Sequence, residues 1–135
     1  MNLNQTINTA TSITVFKDNS HINFVNGSGE YEKIISAWNE LTCDAIQMPA
    51  YGVSINDMTV EEKKRGLWVE FNFSSSCTVN ELPFEKLLVK VEEWYCGFNL
   101  IRYTSPQGYF GRCFYLQLAD KTMKPFSEIL SGIII

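Results

Sequence analysis

The chain has 135 residues, of which 45% are hydrophobic, 13% aromatic and 19% charged, and its formal net charge is −4. This length and composition suit one globular domain with a buried core. The negative charge argues against nucleic-acid binding, which needs a basic surface to displace the counterions of the phosphate backbone. The apolar runs are too short to span a bilayer, so we expect no membrane segment.

Metal-binding motifs are missing from the sequence. The four cysteines are Cys43, Cys77, Cys96 and Cys113. Their spacing matches neither CxxC nor CxH, and the chain has one histidine. A zinc site would need ligands from four separate elements, so we expect no metal and no cofactor.

The first residues, MNLNQTINTATS, are polar. They are typical of neither a signal peptide nor a transit peptide. We therefore expect a cytoplasmic protein with free thiols. Residues 1–11 are predicted to form a flexible polar arm, followed by a single domain over residues 12–135.

The first elements in chain order are a hairpin and a helix. The β-rich runs SITVF and HINFV flank KDNS, whose Asp18 and Asn19 favour a turn. Ser28 can then cap a helix. The apolar residues of this helix recur at helical spacing, at Tyr31, Ile34, Ile35, Trp38 and Leu41. Burial of that stripe is the reason to expect the helix.

An irregular connection follows, CDAIQMPAYGVSIND, which contains Tyr51. Connections of this length often carry binding residues when they are ordered, although a packed loop without a ligand is the alternative. Thr59 and Glu62 predict a capping box for a short helix over VEEKKR, with Gly66 as its end.

The strand LWVEFNF comes next, with Trp68 on the face opposite Leu67 and Val69. SSSCTVNEL is predicted to be a loop, and Pro83 to begin a second long helix that ends at Gly97. The predicted stripe of that helix is Phe84, Leu87, Leu88, Val91 and Trp94 or Tyr95.

The last predicted elements are a second hairpin, FNLIRY-TSPQG-YFGRCFYLQL, and an apolar tail with one helical turn. The whole order is β-β-α-α-β-α-β-β. It predicts an α+β fold with a mainly antiparallel sheet of about five strands and helices packed on one face. The tail residues GIII are predicted to form an edge strand, pair with another copy of the chain, or fray, so we consider a homodimer.

Two arginines stand in the second hairpin. If Tyr103 and Tyr109 close its loop, then Arg102 lies opposite Phe110 and Arg112 opposite Leu100. Both guanidiniums would share an apolar face with Phe98, Leu100, Phe110 and Phe114. One interpretation is structural, with the arginines at the rim of the sheet or paired with Glu85, Glu92 or Glu93. The other is a pocket that binds an anion or the carboxylate of a partner.

We therefore expect a small binding module that takes a protein partner or an anionic ligand. Its candidate binding residues are Arg102, Arg112, Tyr103, Tyr109, Trp68 and Tyr51. The second hypothesis is an enzyme whose site is assembled from scattered residues, with His21 or a carboxylate as the base and the arginines as an anion clamp.

Overall fold

The structure is a computed structural model that describes residues 1–49 and 52–134. Four helices are found there: α1 (Leu3–Ile7), α2 (Gly29–Thr42), α3 (Asn56–Glu62) and α4 (Lys124–Ile134). The strands of the first half are β1 (Ser12–Lys17), β2 (Ser20–Val25), β3 (Ile46–Met48), β4 (Val53–Ser54) and β5 (Leu67–Val79). Those of the second half are β6 (Leu82–Val91), β7 (Gly97–Thr104), β8 (Gly108–Tyr109), β9 (Gly111–Arg112) and β10 (Phe114–Gln117).

Eight of the strands form one sheet in the order β2-β1-β5-β6-β7-β10-β3, and β8 pairs with β7. Strands β4 and β9 form a separate two-stranded ribbon. Each pairing described is antiparallel. The α+β class with a mainly antiparallel sheet is confirmed, and the strands outnumber the five expected. No helix in the described part of the chain is long and apolar enough to cross a membrane.

The predicted second long helix is wrong, because its residues form strand β6 in a hairpin with β5. The turn between them has Asn80 and Glu81 at φ 49° and 66°. The helical spacing of Phe84, Leu87 and Leu88 has another origin. Phe84 and Leu87 both belong to the main core, and the pairing of β6 with β5 is irregular between them, where β5 shifts register between Asn72 and Cys77. Leu88 belongs to a cluster on the other face.

The first hairpin and the first long helix are confirmed. Asp18 and Asn19 occupy the turn at φ 49° and 73°, and the helix begins where Ser28 Oγ accepts a bond of 3.2 Å from the Tyr31 amide. Helix α3 begins earlier than predicted, at Asn56, and lacks the expected capping box, since its N-cap residue is Ile55. Thr59 is instead buried.

The main core lies between one face of the sheet and three helices, α1, α2 and α4. Trp38 of α2 is fully buried, and its ring contacts Phe71, Phe98 and Phe126 with centroids 4.9 to 5.7 Å apart. The segment 1–11, predicted as a flexible arm, instead contains α1, whose Leu3 and Ile7 are buried. The apolar tail forms α4 rather than an edge strand, because Phe126 and Leu130 pack into this core.

The β5–β6 turn gives a stability prediction. Glu81 holds a left-handed conformation that costs a residue with a side chain about 1 kcal/mol relative to glycine. We expect Glu81→Gly to raise the free energy of unfolding by about that amount in urea titrations. Glu81→Ala, which keeps a Cβ, serves as the control and should show no gain.

Candidate functional site

The second hairpin keeps the predicted register only beside its loop. Tyr103 lies opposite Tyr109 as expected, but farther along Leu100 lies opposite Phe114. The returning strand therefore contains two residues more than its partner between these pairs. In that interval Gly111, at φ 103°, lets the chain leave the sheet, and Gly111–Arg112 pairs with Val53–Ser54 as the ribbon β4–β9.

Arg102 is buried, with 8% of its surface exposed, and lies on the core face beside Phe98 and Leu100 as predicted. Its Nε donates to the Arg112 carbonyl oxygen and its Nη1 to the Pro83 carbonyl oxygen, both at 2.6 Å. Burial lowers the pKa of this guanidinium, although an arginine stays charged in proteins. Arg102 thus joins β9 to the start of β6.

Glu85, Glu92 and Glu93 form no ion pair with Arg102 or Arg112 in the described residues. Glu85 accepts bonds from the amide and hydroxyl of Ser105, at 2.8 and 3.1 Å. The ion pairs found within residues 1–49 and 52–134 all involve lysines. Arg112 is exposed, so its predicted place on the apolar face with Arg102 is wrong. The extra residues before Phe114 are the reason.

The ribbon has an exposed and a buried face. Val53 lies opposite Arg112, and Ser54 lies opposite Gly111. Ile55 and Phe110 are the residues that adjoin this pairing in sequence. Residues directly opposed share a face, and alternate residues along a strand share it too. Ser54, on the other face, is buried. We call the outward set the ribbon face: Val53, Ile55, Phe110 and Arg112.

The ribbon face is mostly apolar. Val53, Ile55 and Phe110 are 68%, 53% and 53% exposed. The ribbon is nevertheless tied down at both ends. The Cys113 amide donates to the Gly52 carbonyl oxygen at 2.7 Å, and the Tyr109 amide donates to Asn56 Oδ1 at 3.0 Å. An exposed apolar surface on a fixed backbone is suited to contact with another macromolecule.

The remaining aromatic candidates lie on the sheet face opposite the main core. Trp68 and Tyr109 are buried there with Leu88, and Phe16, Ile101 and Tyr103 pack against them. The Tyr103 and Tyr109 rings are 5.0 Å apart. The structure therefore brings Trp68, Tyr103 and Tyr109 together. Since Trp68 is only 1% exposed, it offers little contact surface to a ligand.

A chain of polar contacts crosses this second cluster. The Tyr109 hydroxyl donates to Glu70 Oε2 at 2.5 Å and accepts a bond of 3.1 Å from Lys63 Nζ. Glu70 is 3% exposed. Burial, and then the charge of Glu70, raise the pKa of Tyr109, while burial lowers the pKa of Lys63. Neither Glu70 nor Lys63 is among the site residues expected from the sequence, although strand alternation does place Glu70 on the face of Trp68.

Cation–aromatic contacts border the second cluster. Lys63 Nζ lies 4.4 Å from the Phe16 ring centroid, and Lys86 Nζ lies 5.0 Å from that of Tyr103. Such contacts stabilise the fold by about 0.5–1 kcal/mol at exposed sites. Among the grooves found in the described residues, none is lined by Lys63, Glu70 or Tyr109. A groove of about 240 Å³ does touch the cluster at Trp68 and Ile101.

The other sequence candidates lie apart from one another. His21 is exposed, with its ring 5.7 Å from that of Phe16, and lines a groove that includes neither arginine. Another groove, of about 850 Å³, runs between α2 and α4 and also includes neither arginine. Arg112 lines a smaller groove of about 310 Å³ with Asn80 and Glu81. Tyr51 lies outside the described residues.

No group of three or more histidine, cysteine, aspartate or glutamate side chains in residues 1–49 and 52–134 could hold a metal ion. No protein-family model, curated protein or solved structure matches the chain. The geometry and chemistry of its own residues are therefore the basis for a functional proposal.

The contacts of Arg102 predict how its loss affects stability. In Arg102→Met, the carbonyl oxygens of Pro83 and Arg112 lose their buried donor, which should lower the free energy of unfolding by about 2–3 kcal/mol. Urea titration checks this. Arg112→Met is the matched control and should change stability by less than about 0.5 kcal/mol, since that side chain is exposed.

The raised pKa of Tyr109 predicts a pH dependence. An unfolded chain releases the phenol proton near pH 10, whereas the folded protein retains it above that pH, so unfolding becomes more favourable as the pH rises. This group should remove up to about 1.4 kcal/mol of stability per pH unit above pH 10. In urea titrations at several pH values, the stability advantage of wild type over Tyr109→Phe should shrink above pH 10.

Proposed function

We propose that this protein is a protein-interaction module and that the ribbon face is its contact surface. The single observation that supports this is the exposure of the ribbon face on a fixed backbone. Its members Val53, Ile55, Phe110 and Arg112 are all exposed, and the buried Arg102 bonds the Arg112 carbonyl oxygen. A cluster of exposed apolar residues on one fixed face is a recognised mark of an interaction site.

Arg112 supplies the polar part of this surface. Its carbonyl oxygen is fixed by Arg102, while its guanidinium is exposed and is in no ion pair with the described residues. A guanidinium presents a planar set of donors that matches a carboxylate. Arginine beside apolar and aromatic residues is also the composition enriched where binding energy concentrates in protein interfaces. The partner we propose therefore offers apolar side chains next to an aspartate or glutamate.

The enzyme hypothesis has weaker support. A catalytic base should stand within reach of the group that binds the substrate. His21 lines one groove and Arg112 another. The Tyr109 hydroxyl, which contacts Glu70 and Lys63, lies in a separate cluster on the sheet. The separation of these groups favours binding over catalysis.

A displayed library of random 12-residue peptides tests the proposal without knowledge of the natural partner. Selection on the wild-type protein should enrich peptides with Asp or Glu next to apolar residues. Fluorescence anisotropy with the selected peptides should then show about tenfold weaker binding to Arg112→Glu and to Ile55→Ser, because each change removes part of the contact.

Arg65→Glu is the matched control, since Arg65 is an exposed arginine outside the ribbon face. It should leave the affinity within about twofold of wild type. Circular dichroism and urea titration confirm that each variant is folded. Peptides that bind Arg112→Glu and Ile55→Ser as tightly as wild type, or a selection that enriches none, would contradict the proposal.

A further inference from the structure

The surface around the ribbon face carries opposite charges at its two ends. Arg112 and Val53, which lie opposite each other, form one end. The exposed Ile55 and Phe110 adjoin the ribbon pairing in sequence and form the middle. The chain then enters α3, where Asp57 and Met58 are exposed. Asp57 is in no ion pair with the described residues. The order along the surface is therefore cation, apolar centre, anion.

The helical phase of α3 places Asp57 away from the body of the domain. Thr59 is buried, Asn56 bonds the Tyr109 amide, and Lys63 bonds the Tyr109 hydroxyl, so these three residues mark the inward side of the helix. Asp57 and Met58 lie between Asn56 and Thr59 in sequence. Because an α-helix has 3.6 residues per turn, both residues project away from the inward side. Met58 is 59% exposed, which extends the apolar centre.

A surface with this order is complementary to itself. A two-fold axis near Ile55 and Phe110 would place the apolar centres of two copies against each other. The same rotation would bring each Arg112 to the Asp57 of the other copy. Contacts of this kind, in which residue i meets j and j meets i, are the property of an isologous dimer interface. Each copy would contribute one Arg112 and one Asp57, so the interface would contain two Arg112–Asp57 ion pairs.

We propose that the ribbon face binds a second copy of this chain, in a two-fold dimer with reciprocal Arg112–Asp57 pairs. This inference rests on the interaction function proposed above and names its partner. Two chains of net charge −4 repel each other at long range, so a close match of local charge is needed at their contact. The ribbon surface supplies both members of that match.

Exchanging the charges of Arg112 and Asp57 tests the dimer. Sedimentation velocity or light scattering measures the fraction of dimer from about 10 µM to about 1 mM protein, since that fraction depends on concentration. The wild type should show a concentration-dependent dimer. In a dimer of Arg112→Asp, the new carboxylate would face Asp57 of the other copy. In a dimer of Asp57→Arg, the new guanidinium would face Arg112 of the other copy. Each should therefore raise the dimer dissociation constant about tenfold or more, because like charges meet.

An equimolar mixture of the two single variants should form a heterodimer, since an all-arginine surface then meets an all-aspartate surface. The double variant Asp57→Arg/Arg112→Asp should dimerise as the wild type does. Arg65→Asp is the control outside this surface and should leave the dimer unchanged. Loss of the dimer in Ile55→Ser would place the apolar centre in the same interface.

Two results would overturn the dimer: a wild type that stays monomeric over the whole concentration range, or a mixture of the single variants that stays monomeric. The peptide selection separates the two proposals. If the wild type is monomeric but selected peptides still require Arg112 and Ile55, the ribbon face binds a different protein, and only the inference of a second copy fails.

Discussion

The buried guanidinium of Arg102 is the constraint on which the arrangement of this surface depends. A buried cation is costly unless its donors are satisfied. Here the acceptors are backbone carbonyl oxygens, of Pro83 at the start of β6 and of Arg112 in β9. The guanidinium is thereby held between two strands, and β9 is held where the chain departs from the main sheet.

The departure of β9 divides the molecule into surfaces with different properties. Three helices cover one sheet face with an apolar core. On the other face, aromatic rings and lysine side chains pack around the Glu70–Tyr109 hydrogen bond. The ribbon lies beside them, with Ser54 inward and Val53 outward. Because its backbone is bonded from within, the ribbon can expose apolar side chains without collapsing onto the core. That combination is the reason we propose the ribbon face as a contact surface.

Local patterns in the sequence predicted much of the fold, but not the ribbon. Period and capping identified α2 through Trp38 and Ser28, and turn chemistry identified the first hairpin through Asp18 and Asn19. The β6 strand was mistaken for a helix because Phe84 and Leu87, three positions apart, both belong to the main core. The two arginines stood out in the sequence, yet their different environments depend on the pairing of β9 with β4, a contact between residues 57 or more positions apart. Local periodicity carries no information about that distant pairing.

Amide hydrogen exchange in wild type and Arg102→Met tests most directly whether Arg102 holds the ribbon. If Arg102 holds the ribbon, the Cys113 amide, bonded to Gly52, should lose its protection in Arg102→Met far more than the Val69 amide in the middle of β5. Such a result would show that the ribbon opens locally when its anchor is removed. An equal change at both amides, or no change at Cys113, would contradict the account, since Arg102 would then contribute only to global stability.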